Sequence, residues 1–113
     1  MSEPAMKTMN VEYAIIGAGT AGLGAYSKIS RQTDSLVMIQ DGPYGTTCAR
    51  VGCMPSKLMI TAADYAHHLT TSEFFGVTAT GRVDGRKVFE RLRRERDNRF
   101  VANNLRYVDK IPA

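Results

Sequence analysis

The sequence has no Trp, only two Cys and two His, and four Pro in 113 residues. Two cysteines are too few to staple a small secreted domain. In a reducing compartment a close Cys pair is more often redox-active or metal-binding than structural. No stretch approaches the roughly 18 apolar residues that a membrane helix needs. The opening residues, Met1 to Lys7, lack the long apolar core of a secretory leader, which points to the cytoplasm and away from a membrane. Internal repeats and low-complexity tracts are missing as well. What is present is 43% hydrophobic and 23% charged, too apolar for a disordered tail. The length allows one domain at most, with a modest core.

The net charge of +4 is local. Residues 82–99 hold Arg82, Arg86, Lys87, Arg91, Arg93, Arg94, Arg96 and Arg99 against Asp84, Glu90, Glu95 and Asp97. Elsewhere the two signs balance. A basic stripe is one footprint of nucleic-acid binding. The spacing favours a solvated helix face instead: Arg86–Glu90, Glu90–Arg94, Arg91–Glu95, Arg93–Asp97 and Glu95–Arg99 are all i,i+4 pairs. No aromatic residues interleave to stack on bases, so a nucleic-acid partner is not expected.

Along the chain, residues 1–10 read as a disordered lead-in and 11–113 as a single folded region. Val11 to Ile16 is a short apolar run, expected to be a buried strand. Gly17 to Gly22 breaks it. Thr20 to Gln32 then reads as a helix with Ala21, Ala25 and Ile29 on one side. A turn at residues 33–35 leads to a second apolar strand, Leu36 to Gln40. Strand, Gly-rich turn, helix and strand make the βαβ unit of a parallel sheet, an α/β architecture. Pro55 suits the first turn of a further helix, whose apolar face is Leu58, Ala62, Tyr65, Ala66 and Leu69. Residues 70–83 read as a loop with a short extended piece near Val77. Asp84 is the expected N-cap of the charged helix, which runs to about Arg106. Its thin apolar stripe is Val88, Phe89, Leu92 and Phe100, with Arg96 packing its stem beside it. Two strands among three helices leave sheet edges and apolar faces uncovered, so the sequence looks cut from something larger.

Gly17, Gly19 and Gly22 form a Gly-x-Gly-x-x-Gly turn directly between a strand and a helix, the context that gives this motif meaning. Gly17 permits a tight turn, Gly19 admits a pyrophosphate close to the backbone, and Gly22 lets helix and strand approach. The helix N-terminus offers free N–H groups and a positive dipole end to phosphates. A ribose-binding acid is expected about 20 residues on, at the end of the second strand. Gln40 holds the best register there, and Asp41 is one step past it. A Gly-rich connection with no ligand is the plainer alternative.

Cys48 and Cys53 have four residues between them. Along a regular helix that spacing gives about 7.5 Å of rise alone, whereas a disulfide wants Cα atoms within about 7 Å. If these cysteines bond, the backbone must leave regular helix between them, and Gly52 supplies that freedom. Pro55 places Cys53 just before the next helix, where the dipole favours a thiolate, with Arg50 and Lys57 adding positive charge. Two unconnected thiols, or zinc held with His67 and His68, are the competing arrangements. Adjacent helical histidines point about 100° apart, which disfavours the zinc site.

The segment Thr46-Thr-Cys-Ala-Arg-Val-Gly-Cys-Met-Pro-Ser-Lys57 resembles the redox-active disulfide signature of the class I pyridine nucleotide-disulfide oxidoreductases, most nearly the dihydrolipoamide dehydrogenases. Ser56-Lys57 leans toward lipoamide or mercuric reductase types, since glutathione reductases more often carry Lys-Lys there. The helix from Val88 to Val101 also resembles one in this family. The resemblance implies an incomplete Rossmann-type FAD-binding unit, the N-terminal part of a three-layer domain. It implies that Gly17, Gly19 and Gly22 hold the FAD pyrophosphate. Gln40 takes the ribose position, where the family usually has Glu, and Gly45, Thr46 and Thr47 line the pyrophosphate and ribityl region. Lys57 lies close to the flavin, Cys53 faces it, and Cys48 meets the substrate. Electrons then run between NAD(H), FAD, the Cys48–Cys53 pair and a dithiol such as dihydrolipoyl groups. The full enzymes are homodimers several times longer. Their catalytic His comes from a C-terminal domain, and neither His67 nor His68 matches its motif. The expectation is a fragment that does not turn over alone, and a flavin-free remnant is the alternative.

Overall fold

The computed structural model describes residues 8–112. The expected lead-in at 1–10 therefore lies mostly outside the described residues, and Thr8 to Asn10 have no regular structure. The chain divides into two units, one ending at Pro43 and the next beginning at Tyr44.

In the first unit, β1 (Tyr13–Ile16) and β2 (Leu36–Ile39) pair in parallel, with Tyr13 opposite Leu36 and Ile16 opposite Ile39. Parallel strands need a crossover, and α1 (Thr20–Ile29) supplies it. The βαβ unit read from the sequence is present, with each element shorter than expected. The packed face of α1 differs from the expected one. Leu23 is buried and Tyr26 and Ile29 are half-buried, while Ala21 and Ala25 are exposed. Leu23 and Tyr26 offer more area to bury than two alanines, and burial scales with apolar area. The strand β1 is also less buried than expected. Side chains alternate across a strand; Ile15 lies beside Gly22 of α1, and Ile16 on the other face is 85% exposed.

The second unit is helical. It comprises α2 (Thr47–Arg50), α3 (Cys53–Thr71), a 3-10 turn (Ser72–Phe75), α4 (Gly85–Glu95), a π-helical segment (Arg96–Val101) and α5 (Ala102–Val108). Helix α3 starts at Cys53, two residues before Pro55, so the proline sits third in the first turn, where its missing N–H costs nothing. Its inner face is Leu58, Ala62, Ala66 and Leu69, as expected, but Tyr65 points outward. The extended piece expected near Val77 does not form. The 3-10 turn ends on Gly76 in the left-handed conformation, and residues 77–84 run irregularly. Gly81 passes close to Leu69, where a Cβ would sit 2.6 Å from a Leu69 methyl.

Asp84 caps α4 as expected, its carboxylate accepting from the Lys87 N–H at 3.2 Å. Leu92 is buried, Val88 and Phe100 are half-buried, and Phe89 is largely exposed. Helix α4 packs on α3, and the π-helical segment packs on α2. That segment is the main departure from the expected continuous helix. Arg96 is half-buried with its guanidinium on Asp97 at 2.6 Å, so its stem packs and its head is paired. Of the five i,i+4 pairs, Glu95–Arg99 alone forms among the described residues, at 3.3 Å. Asp97 pairs with Arg96, and Arg93 lies over the Phe89 ring, 5.7 Å from its centroid. No helix among the described residues is long and apolar enough to cross a membrane.

Candidate functional site

The glycine turn is built by backbone constraints. Gly17 has φ +98°, a left-handed value that excludes most other residues, and its N–H donates to the Ile39 carbonyl at 2.7 Å. At Gly22 a Cβ would collide with the Gly17 carbonyl oxygen, so helix and turn can close only on glycine. A Cβ on Gly17 or Gly19 would meet nothing within 4 Å, which leaves the outer side of the turn open to a ligand. No side chain caps the N-terminus of α1. That combination fits an anion such as a pyrophosphate. Gln40 lies one residue past the end of β2. Its carboxamide oxygen accepts from the Ala18 N–H at 2.6 Å, and its Nε2 donates to the Asp41 carbonyl at 3.0 Å. Gln40 thus closes the turn across 22 residues, while Asp41 is exposed.

The cysteines sit on either side of a helix break. Cys48 is the second residue of α2, and Cys53 is the first of α3. Val51 and Gly52 depart from helix between them, the departure that a bond between the two cysteines would need. Gly52 serves by its size: a Cβ there would lie 3.1 Å from the Thr47 carbonyl oxygen. Ser56 pins the break, its hydroxyl donating to the Gly52 carbonyl at 2.8 Å. Cys48 is half-buried, Cys53 is exposed, and both are free thiols. Hydrogen bonding to the Cys53 side chain, burial and the nearby Cys53 charge raise the Cys48 pKa above the usual thiol value. The Cys53 backbone N–H and the Lys57 ammonium pull the other way.

The rest of the signature supports α2. Gly45 and Thr46 are buried, and Thr47 is exposed as the first residue of α2. Thr46 is the N-cap, its Oγ1 accepting from the Ala49 N–H at 3.1 Å. Thr46 is tied in turn to Asn104 on α5, whose Oδ1 accepts from the Thr46 N–H at 3.2 Å and the Thr46 hydroxyl at 3.0 Å. The sequence reading missed Asn104. Its partner is 58 residues away, a separation that no helical periodicity encodes. Lys57 is exposed one turn beyond Cys53. His67 and His68 are exposed on α3, and no group of three metal-ligating side chains is found among the described residues.

Comparison with known proteins bears on both motifs. The pyridine nucleotide-disulphide oxidoreductase family pattern matches residues 11–110. A mercuric reductase of Serratia marcescens is 42% identical over 66 residues, 58% of this chain and 14% of that protein. A mercuric reductase of Shigella flexneri is 44% identical over 63 residues, 56% of this chain and 11% of that protein. A dihydrolipoyl dehydrogenase of Halobacterium salinarum is 37% identical over 73 residues, 65% of this chain and 15% of that protein. The chain matches no more than about one seventh of the length of these relatives. The βαβ unit with its glycine turn is of Rossmann type, and the chain belongs to the pyridine nucleotide-disulphide oxidoreductase family.

Proposed function

We propose that this chain is the FAD-binding, redox-disulfide segment of a flavin oxidoreductase whose substrate is a dithiol of the dihydrolipoyl kind. The observation that carries the reading is the placement of Cys48 in α2 and Cys53 at the first position of α3, on either side of the break at Val51 and Gly52. When the pair is oxidised, a substrate thiolate attacks Cys48 Sγ and releases Cys53 as a thiolate. The second substrate thiol then attacks the mixed disulfide and releases Cys48. The substrate leaves as a disulfide, and the pair has gained two electrons and two protons. Bound FAD would supply the two-electron acceptor that reopens the cycle, with NAD as the final one. Gly17, Gly19 and Gly22 would hold its pyrophosphate, and Gln40 would take the ribose position. Gly45, Thr46 and Thr47 line the phosphate and ribityl region. Lys57 would lie near the flavin, Cys53 would face it, and Cys48 would meet the substrate. In this reading the parent protein is a cytoplasmic homodimer, and the chain alone does not turn over.

The relatives named mercuric reductase support a second substrate, a mercuric ion, at the same thiols. Equilibrating the chain with FAD and then gel-filtering it tests the reading. The expected result is yellow flavin co-eluting with protein, lost in Gly19→Val. Protein free of flavin at saturating FAD overturns flavin binding. Steady NADH-dependent lipoamide reduction by the chain alone overturns the claim that it does not turn over.

A further inference from the structure

We infer that Asn104 is a positioning residue for the Cys48–Cys53 pair, acting through Thr46. The inference rests on the redox reading of that pair. Helix α2 has four residues, too few to hold its shape by its own hydrogen bonds. Its N-cap is Thr46, which is buried at 7% exposure. Both donors of Thr46, its N–H and its hydroxyl, converge on Asn104 Oδ1. The same hydroxyl oxygen accepts from the Ala49 N–H, so one chain of bonds runs from Asn104 to the turn that carries Cys48. The other sulfur is anchored separately, on the long helix α3 through Ser56 and Gly52. Asn104 therefore fixes one half of a pair whose other half is already fixed.

The π-helical segment is what aims Asn104. Twelve residues on a regular helix would turn Asn104 about 120° away from the buried Leu92 face. One residue absorbed in a π turn reduces that offset to about 20°, which puts both on one side. A turn of this kind has poorer hydrogen-bond geometry, and here it serves a contact that a regular helix would miss.

Two sulfurs held in register have a high effective concentration toward each other. Loosening α2 lowers it, and the dithiol is then harder to oxidise to Cys48–Cys53. The test equilibrates the full chain with defined ratios of oxidised to reduced dithiothreitol and quantifies free thiols after quenching. Each disulfide formed takes two electrons and two protons from the pair and reduces one cyclic dithiothreitol disulfide. In Asn104→Leu, which keeps the volume and loses the acceptor, the half-oxidation ratio is expected to rise about fivefold, the equivalent of one hydrogen bond. Asn104→Asp keeps an acceptor oxygen and is expected to return to within about twofold of the parent chain. Asn103→Leu, on the exposed neighbour, is expected to leave the ratio unchanged. If Asn104→Leu loses its helical circular dichroism, Thr46→Val breaks the same chain from the other end and should shift the ratio in the same direction. An Asn104→Leu or Thr46→Val variant that stays folded with an unchanged ratio overturns the inference and leaves the redox reading standing. So does an Asn104→Asp variant shifted as far as Asn104→Leu. A parent chain that forms no intramolecular disulfide overturns both.

Discussion

Single residues in this chain can be separated by what a methyl group would meet. Gly22 and Gly24 are two apart in α1, yet a Cβ at Gly22 strikes the Gly17 carbonyl while one at Gly24 meets nothing within 4 Å. Gly22→Ala should therefore cost about 1–3 kcal/mol, the usual range for overpacking. Gly24→Ala should stabilise by about 0.5–1 kcal/mol through helix propensity. Urea unfolding followed by circular dichroism reads both, and equal midpoints for the two variants would contradict the assigned close approach. The thiol pair makes a prediction of opposite character, in protonation rather than packing. Hydrogen bonding to Cys53 and burial raise the Cys48 pKa, so Cys48 alkylation by iodoacetamide should show a pH midpoint above that of a free cysteine. Cys53→Ala removes the partner and should move that midpoint down. The sign for stability follows. A thiol whose folded pKa is raised stabilises the fold while protonated, and that contribution is lost as pH climbs through the raised pKa. Denaturation midpoints of the parent chain and Cys53→Ala should therefore converge as the solution is made alkaline.

At the scale of elements, the register of the last helical run matters more than its charge pattern. A π turn contains one residue more than α-helical hydrogen bonding needs. Deleting Asn98, which is exposed inside that segment, lets the run relax to α-helix while Leu92 and Asn104 still share a face. The expected outcome is a thermal midpoint at or above that of the parent chain. Inserting an alanine after Asn98 instead rotates Asn104 about 100° away from Thr46 and should lower the midpoint. A deletion as damaging as the insertion would mean that the segment is needed for itself. This run also shows what the sequence could reveal. The Asp84 cap was legible because an acid before a helix answers a local need, unpaired N–H groups. Both strands were legible for the same reason, since apolar runs are local, whereas the break between the cysteines was expected only for a bonded pair and is present with both thiols free. Four of five ion pairs were not legible. Exposed pairs of this kind contribute little, so packing of Leu92 and Phe100 set the backbone and the charges took whatever partners remained. The extended piece near Val77 failed similarly, because a strand there needs a neighbour to pair with.

The whole chain shows a sharper division between motif and context. The glycine turn and the cysteine signature are compact in sequence, and the family match from 11 to 110 follows them. Asn104 and the Gln40–Ala18 contact depend on residues 58 and 22 positions apart, and no periodicity encodes such closures. The same limit applies to burial. Apolar residues at 74 and 75 give no sign of which way they face, and in the structure Phe74 is 88% and Phe75 75% exposed, their rings meeting edge-on at 5.1 Å. Ile16 and Tyr65 are also open. Exposed apolar side chains of this kind favour association. Light scattering of the chain should give a mass above 12.4 kDa at about micromolar to millimolar concentration, falling on dilution. Phe74→Ser with Phe75→Ser should shift it toward monomer. Because neither ring is buried, the same double change should leave the unfolding free energy within about 0.5 kcal/mol of the parent. Monomers throughout would show that these side chains are tolerated by water, whereas a large loss of stability would show that they are packed in solution.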